Sequence, residues 1–402
     1  MMRQGDINKT NSLLARIIVC VSFVSIVLTQ HTEVSDILVR VCNYLIAGLF
    51  IFGIMRSKFA IHDRYHIVSH FFILNVLSLI AVLIVNSRNY AWFSEIRAIR
   101  GQAIYMVFFI VSFFVVEYVD DLKFPYKLLH YLSLLAGVIV IIQSIANRAG
   151  VNLHGIPVLG EFVFNSTDGF FRPSAFFGEP SYFAEVVVLD LFFNLFITNN
   201  YKMAVFNIIS LIPTYSGVGV LLAGSMLLSW VLTKQVSKNV LINFVTKLVT
   251  GGCLFLFVYN LVIYDGDNIL VNRLTRGATI NQRTYRGIEI FGNLDPIHKT
   301  FGVGMQNVSS YLDLNRITLE NDREDTLVNR EFMQSFYYLL CTLGVCGSFS
   351  SFFCFGELFK NMKGYKRLII IFLILLMFVS SMICRSIFIL WMIMIAALLY
   401  SD

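Results

Sequence analysis

Runs of apolar residues long enough to cross a bilayer recur from one end of this chain to the other, and they restrict the fold before any motif does. A helix needs roughly 20 such residues to span the hydrocarbon core. Lipid offers no partner for an unpaired peptide group, so the spans are expected to be helical throughout. The composition agrees: 57% of the 402 residues are hydrophobic, only 14% are charged, and the mean hydropathy is +0.73, which excludes a soluble globular domain.

The pattern predicts spans at Leu13–Thr29, Ile37–Met55, Ile67–Val85, Gly101–Tyr118, Leu128–Ala146, Tyr182–Thr198, Val240–Tyr264, Phe332–Phe359, Leu368–Ile383 and Ile387–Tyr400. Met203–Leu232 is too long for one comfortable helix and is interrupted at Pro213-Thr214-Tyr215-Ser216-Gly217, which reads as two short helices meeting at a turn. The expectation is an all-α polytopic membrane protein of about twelve spans. Residues 1–402 form a single integral membrane domain on this reading, with a loop at 147–181 carrying an Arg/Glu motif and a large loop at 265–331. Met1–Arg16 precedes an apolar run with no small-residue cleavage pattern, so the run reads as a first anchor rather than a signal peptide.

Lysine placement supplies the orientation. Lys9, Lys58, Lys123, Lys127, Lys202, Lys234, Lys238, Lys360, Lys363 and Lys366 all fall on one side, which the positive-inside rule assigns to the cytoplasm, with both termini. A single helix through Met203–Leu232 would move Lys234 and Lys238 outside, which favours the break at Pro213.

Arginine behaves differently. Arg88, Arg97, Arg100, Arg148, Arg172, Arg273, Arg276, Arg283, Arg286, Arg316, Arg323 and Arg330 all map to the outer face. A guanidinium is always charged and binds phosphate or carboxylate through two donors. Asp313, Glu320, Asp322, Glu324 and Asp325 surround Arg316, Arg323 and Arg330, so pairing explains those three. Between Asn268 and Ile288 four arginines occur with no acidic residue, and that segment reads as an anion site.

The remaining polar features are less specific. All seven cysteines lie inside spans, where none can staple an outer loop. His62, His66 and His70 recur on one helix face but have only Asp63 beside them, and no metal is expected. Asp265-Gly266-Asp267 is explained by turn chemistry. Glu185 and Asp190 lie within a span, where an ionisable group is a functional candidate; Asp190 reads rather as a hydrogen-bond partner to another span.

Arg172-Pro173-Ser174-Ala175-Phe176-Phe177-Gly178-Glu179-Pro180-Ser181-Tyr182-Phe183-Ala184 resembles the outer-loop signature of the Wzy-type O-antigen and exopolysaccharide polymerases, within the O-antigen ligase-polymerase superfamily. Thr214-Tyr215-Ser216-Gly217-Val218-Gly219 is similar to the small-residue turn of that family, and Arg283 followed by Phe301-Gly302-Val303-Gly304 is similar to the arginine and Gly-x-Gly turn of its large periplasmic loop. The resemblance runs from about Ile156 to Gly347; the first five spans match in hydropathy alone.

That resemblance implies a GT-C-like membrane glycosyltransferase of the bacterial inner membrane. It would join undecaprenyl-pyrophosphate-linked repeat units at the periplasmic face, without a cofactor or metal. Expected partners are lipid-linked glycans and membrane lipids, a chain-length-determining co-polymerase and a flippase, with no nucleic acid. The leaving pyrophosphate needs positive charge more than a general acid. Arg172, Arg283 and Arg286 are the candidates to hold it, with Arg273 and Arg276 behind them. Glu179 is the candidate to orient or deprotonate the acceptor hydroxyl, and Ser181 and Glu185 are acceptor-site candidates. A Glu-Pro-Ser stretch before an apolar run equally marks a helix start, so Glu179 has a structural alternative.

Two other functions stay open. An O-antigen ligase would carry a histidine and Asn shortly before Gly344-Val345-Cys346-Gly347, where this chain has Glu331-Phe332-Met333-Gln334; Val218 also stands near the place of an arginine that ligases usually carry in the small-residue turn. A flippase or other transporter would be expected to show internal repeats and midplane charges, whereas the polar residues here concentrate in loops.

Overall fold

The computed structural model describes residues 4–28, 33–56, 66–88, 90–119, 123–151, 153, 171–234, 244–245, 248, 280–317, 319, 333–383 and 385–400. Every regular element among them is helical. Seven helices are long and apolar enough to cross a membrane, and Gly217–Thr233 and Ser386–Tyr400 are shorter apolar helices. Apart from Phe244, Val245 and Leu248, the expected span at Val240–Tyr264 lies outside the described residues, as do the Asp265–Asp267 turn, His62, Arg273, Arg276, Arg323 and Arg330.

The chain folds as two compact units: Met1–Val27, Ile37–Tyr126 and Gln282–Asp402 form one, and Leu28–Asp36 with Lys127–Asn281 form the other. The long helices at the start are α1 (Gln4–Val27), α2 (Glu33–Arg56), α3 (Ile67–Ser87) and α4 (Glu95–Tyr118). The first unit also holds α9 (Ile280–Asn293), α10 (Pro296–Phe301), α11 (Val308–Leu314), α12 (Ser335–Asn361), α13 (Leu368–Val379) and α14 (Ser386–Tyr400). Apolar on every side and buried from Ser386 to Leu399, α14 is a central helix, packed by α4 and α1. Tyr105 of α4 stacks on Phe388 at 5.6 Å, and Ser386 hydrogen-bonds Ser25 of α1 and donates to Asn43 Oδ1.

Alongside this centre, α3 packs on α12, the span expected at Phe332–Phe359, which carries a kink that the sequence reading did not include. The helix breaks at Gly344, whose φ of 66° belongs to the left-handed region open to glycine. The break frees the carbonyls of Cys341 and Thr342, which accept from Val303 N (3.0 Å) and Gly304 N (2.9 Å). Non-helical backbone at membrane depth survives only where it is satisfied in this way. At its start α12 is tied by Ser335, whose Oγ donates to Ser380 O (2.8 Å) and accepts from Met382 N (2.7 Å).

The second unit contains α5 (Lys123–Arg148, its first turn in the other unit), α6 (Pro180–Phe192), α7 (Tyr201–Leu211) and α8 (Gly217–Thr233). A wider i→i+5 turn, Phe193–Ile197, continues α6. Here the central helix is α6, buried from Tyr182 to Phe192 and packed by α7 and α8. Gly219 lets α8 close on α6, because an added β-carbon would stand 3.0 Å from Ala184 Cβ. The expected interruption of Met203–Leu232 is present: a 3-10 turn, Ile212–Thr214, ends α7, and Ser216 N-caps α8 by accepting from Gly219 N.

Candidate functional site

The Arg172–Ala184 motif is built into the second unit as a pinned, largely buried turn. Ala175 takes a left-handed φ of 56°, and Ser174 Oγ donates to Phe177 O (2.8 Å) while Phe177 N returns to Ser174 O (3.0 Å). From α5, Gln143 grips the turn with both ends of its amide: Oε1 accepts from Ala175 N and Nε2 donates to Ala175 O, each at 2.9 Å. Gln143 had no signal in the sequence beyond being a polar residue in an apolar span.

Arg172 joins this turn to the second motif. Its Nε donates to Thr214 O (3.2 Å) and a terminal nitrogen donates to Tyr215 O (3.1 Å). The fork thereby closes the carbonyl end of the turn that separates α7 from α8, where Tyr215 sits at a positive φ of 47°. Glu179 occupies the N-cap position of α6, with Pro180 at the first helical position, and is only 8% exposed. Its carboxylate makes no capping bond; Oε2 instead accepts from Ser181 Oγ at 2.7 Å. Glu185 is enclosed inside α6, with no exposed surface for an acceptor to reach.

In the first unit, the Phe301–Gly304 motif meets the Gly344–Gly347 motif. A β-carbon on Gly302 would lie 2.3 Å from Thr342 O, and one on Gly344 would lie 2.3 Å from Thr300 O, so the two backbones cross where only glycines fit. Beside the crossing lies a buried polar chain that the sequence reading missed. His298 is fully buried, with Nδ1 against Asp295 Oδ2 and Nε2 against Asn86 Oδ1 (2.7 Å). Asn86 spends its amide hydrogens on Val82 O and Gly302 O, so its oxygen faces the ring. Tyr90, Trp92 and Tyr311 pack around the imidazole with centroids 4.5, 5.5 and 5.1 Å away. Asp295-Pro296-Ile297-His298 carries an available signal, an acidic N-cap followed by proline.

Asp295 Oδ1 caps α10 through Ile297 N (2.9 Å) and His298 N (3.0 Å). Burial pushes its carboxyl upward, but the His298 backbone and ring bonds, the ring's charge and the Ile297 bond outweigh this, leaving it below the usual carboxylate range. Burial, and secondarily the Asp295 charge, pushes the Tyr90 phenol up.

The predicted site residues therefore fall in two places. Arg172, Glu179, Ser181 and Glu185 belong to the second unit, and Arg283 and Arg286 lie on α9 in the first. Arg283 is 3% exposed on the face of α9 that includes Gly287, which touches Tyr337 of α12; Arg286 is half-buried. Two further arginines act within the first unit: Arg97 donates to Ser310 Oγ (3.0 Å) and Arg100 to Gln306 Oε1 (3.2 Å from Nε). Of the expected histidine stripe, His66 starts α3 and His70 bonds Glu357 at 3.0 Å. No group of three or more His, Cys, Asp or Glu side chains poised for a metal occurs among the described residues.

Asp190 is the hydrogen-bond partner between spans that the sequence suggests: buried in α6, it accepts from Asn194 Nδ2 and Asn207 Nδ2 (2.9 Å each) and faces His130 Nδ1 of α5 at 3.4 Å. Neither family models, nor characterised proteins, nor solved structures match this chain.

Proposed function

We propose that the chain is a surface-polysaccharide polymerase that joins undecaprenyl-pyrophosphate-linked repeat units at the periplasmic face of a bacterial inner membrane. In this reading it has about twelve spans in a GT-C-like arrangement and both termini in the cytoplasm. One observation carries the proposal: Arg172 bonds Thr214 and Tyr215, so the two motifs of the second unit that resemble this family meet in one place. That meeting assembles a guanidinium, the N-terminus of α8 and a turn leading to a largely buried carboxylate. The first two favour a departing pyrophosphate and the third favours an acceptor hydroxyl. A co-polymerase sets chain length.

A lipid-linked oligosaccharide flippase is the second reading, favoured by the broken helix at Gly344 and the buried polar cluster at Asp190. The experiment is extension of a purified lipid-linked repeat unit by the purified chain. Products longer than one unit support the polymerase; movement of the lipid-linked unit across a vesicle bilayer without extension supports the flippase.

A further inference from the structure

The polymerase reading leaves the centre of α6 unused. Asp190 lies ten residues into the span Pro180–Ile197 and has no exposed surface. At a rise of about 1.5 Å per residue it sits about 15 Å from the helix start, near mid-depth of a hydrocarbon core about 30 Å thick. A lone carboxylate there is strongly disfavoured. The amides of Asn194 and Asn207 donate to Oδ2, which solvates the ionised form but supplies no charge. Among the described residues, charge comes from His130 on α5, at 3.4 Å from Oδ1.

The neighbouring elements offer no substitute for it. On α6 the other ionisable side chains are Tyr182 and Glu185, neither a cation; α7 carries Tyr201 and Lys202, both exposed at its start; α8 carries none. On α5 the nearest charged residue to His130 in sequence is Lys127. Lys234, beyond α8, donates to Asn199 Oδ1 at 2.6 Å. Neutrality at mid-depth therefore requires one proton on the His130–Asp190 pair.

We propose that His130 and Asp190 form an intramembrane proton-binding site, with the proton on the imidazole and the carboxylate ionised. A chain of hydrogen bonds runs on from the pair along α6. Asn194 donates to Asp190, and Thr198 Oγ1 donates to Asn194 Oδ1 at 3.5 Å and to Phe193 O at 3.3 Å. The i→i+5 turn at Phe193–Ile197 sets Thr198 below Asn194, and Asn199 follows at the exposed end of the helix. The site is independent of the polysaccharide reading.

The test is nitrogen magnetic resonance of ¹⁵N-histidine in the full chain reconstituted in lipid bilayers, with His130 assigned by its loss in His130→Gln. The ring is expected to be doubly protonated at neutral pH. In Asp190→Asn, where no counter-charge exists, it is expected to become neutral. A neutral ring at pH 7 in the unsubstituted chain overturns the proposal, and so does a charged ring that persists in Asp190→Asn. Should Asp190→Asn fail to fold, the unsubstituted chain decides alone.

Discussion

Gly302 and Gly344 face each other at a backbone crossing with room for no β-carbon: each added methyl would stand 2.3 Å from a carbonyl oxygen of the other strand of chain. Both residues hold positive φ, at 84° and 66°. Alanine at either position meets a backbone clash and left-handed strain together. Gly302→Ala and Gly344→Ala are each expected to destabilise the chain by about 3 kcal/mol or more. Gly356, also on α12 but with open space around it, is expected to gain about 0.5–1 kcal/mol as alanine. Thermal unfolding of the three variants in one detergent measures the contrast, and equal midpoints would refute the crossing.

Arg172 tests whether geometry or charge matters at the motif junction. Lysine keeps the charge but cannot reach two carbonyls with a planar fork. Arg172→Lys is therefore expected to behave nearly as Arg172→Ala, losing long-chain product and about 1–3 kcal/mol of stability. Lysine activity equal to the unsubstituted chain would mean that charge alone suffices.

For Glu179, Gln keeps the shape and the bond from Ser181. If the carboxylate orients or deprotonates an acceptor hydroxyl, Glu179→Gln costs roughly a hundredfold in chain extension at matched protein levels. Full extension activity in Glu179→Gln would leave Glu179 as a helix-start residue, worth about 1 kcal/mol at most.

Asp295 predicts a dependence on acid. Its carboxyl titrates lower when folded than when unfolded, so its contribution is fully present above the unfolded value of about 4 and is lost as pH falls through the folded value. Unfolding midpoints measured from pH 7 downward should fall more steeply in the unsubstituted chain than in Asp295→Asn. Near neutral pH the variant should be less stable by about 1 kcal/mol, because asparagine still caps α10 but removes the charge from the bond to the His298 ring. Parallel curves would show that Asp295 contributes no pH dependence.

How much of this was legible in the sequence depended on whether a residue's partner could be inferred. The break in Met203–Leu232 was readable because proline, glycine and the lysines after it constrain the same few residues. The break at Gly344 was not, since a Gly-x-x-Gly stretch in an apolar run looks like close helix packing. Its backbone conformation is decided by Thr300 and Gly302, which arrive from a distant segment. Asp190 was legible as a tie between spans, although its partners His130 and Asn207 were not. The arginines show the same limit. Their charge suggested anions, but the forks of Arg172 and Arg100 meet neutral oxygens of Thr214, Tyr215 and Gln306. Asn86 and His298 were missed because neither belongs to a motif, and only the fold brings them within 2.7 Å.

The stretch of α12 between Ser335 and Leu343 is fastened at both ends, by Ser335 to Ser380 and Met382, and by Cys341 and Thr342 to Val303 and Gly304. A shift of the Gly302–Gly304 turn would therefore load the Ser380–Met382 segment through the same short rod, the two anchors acting as opposite ends of one lever.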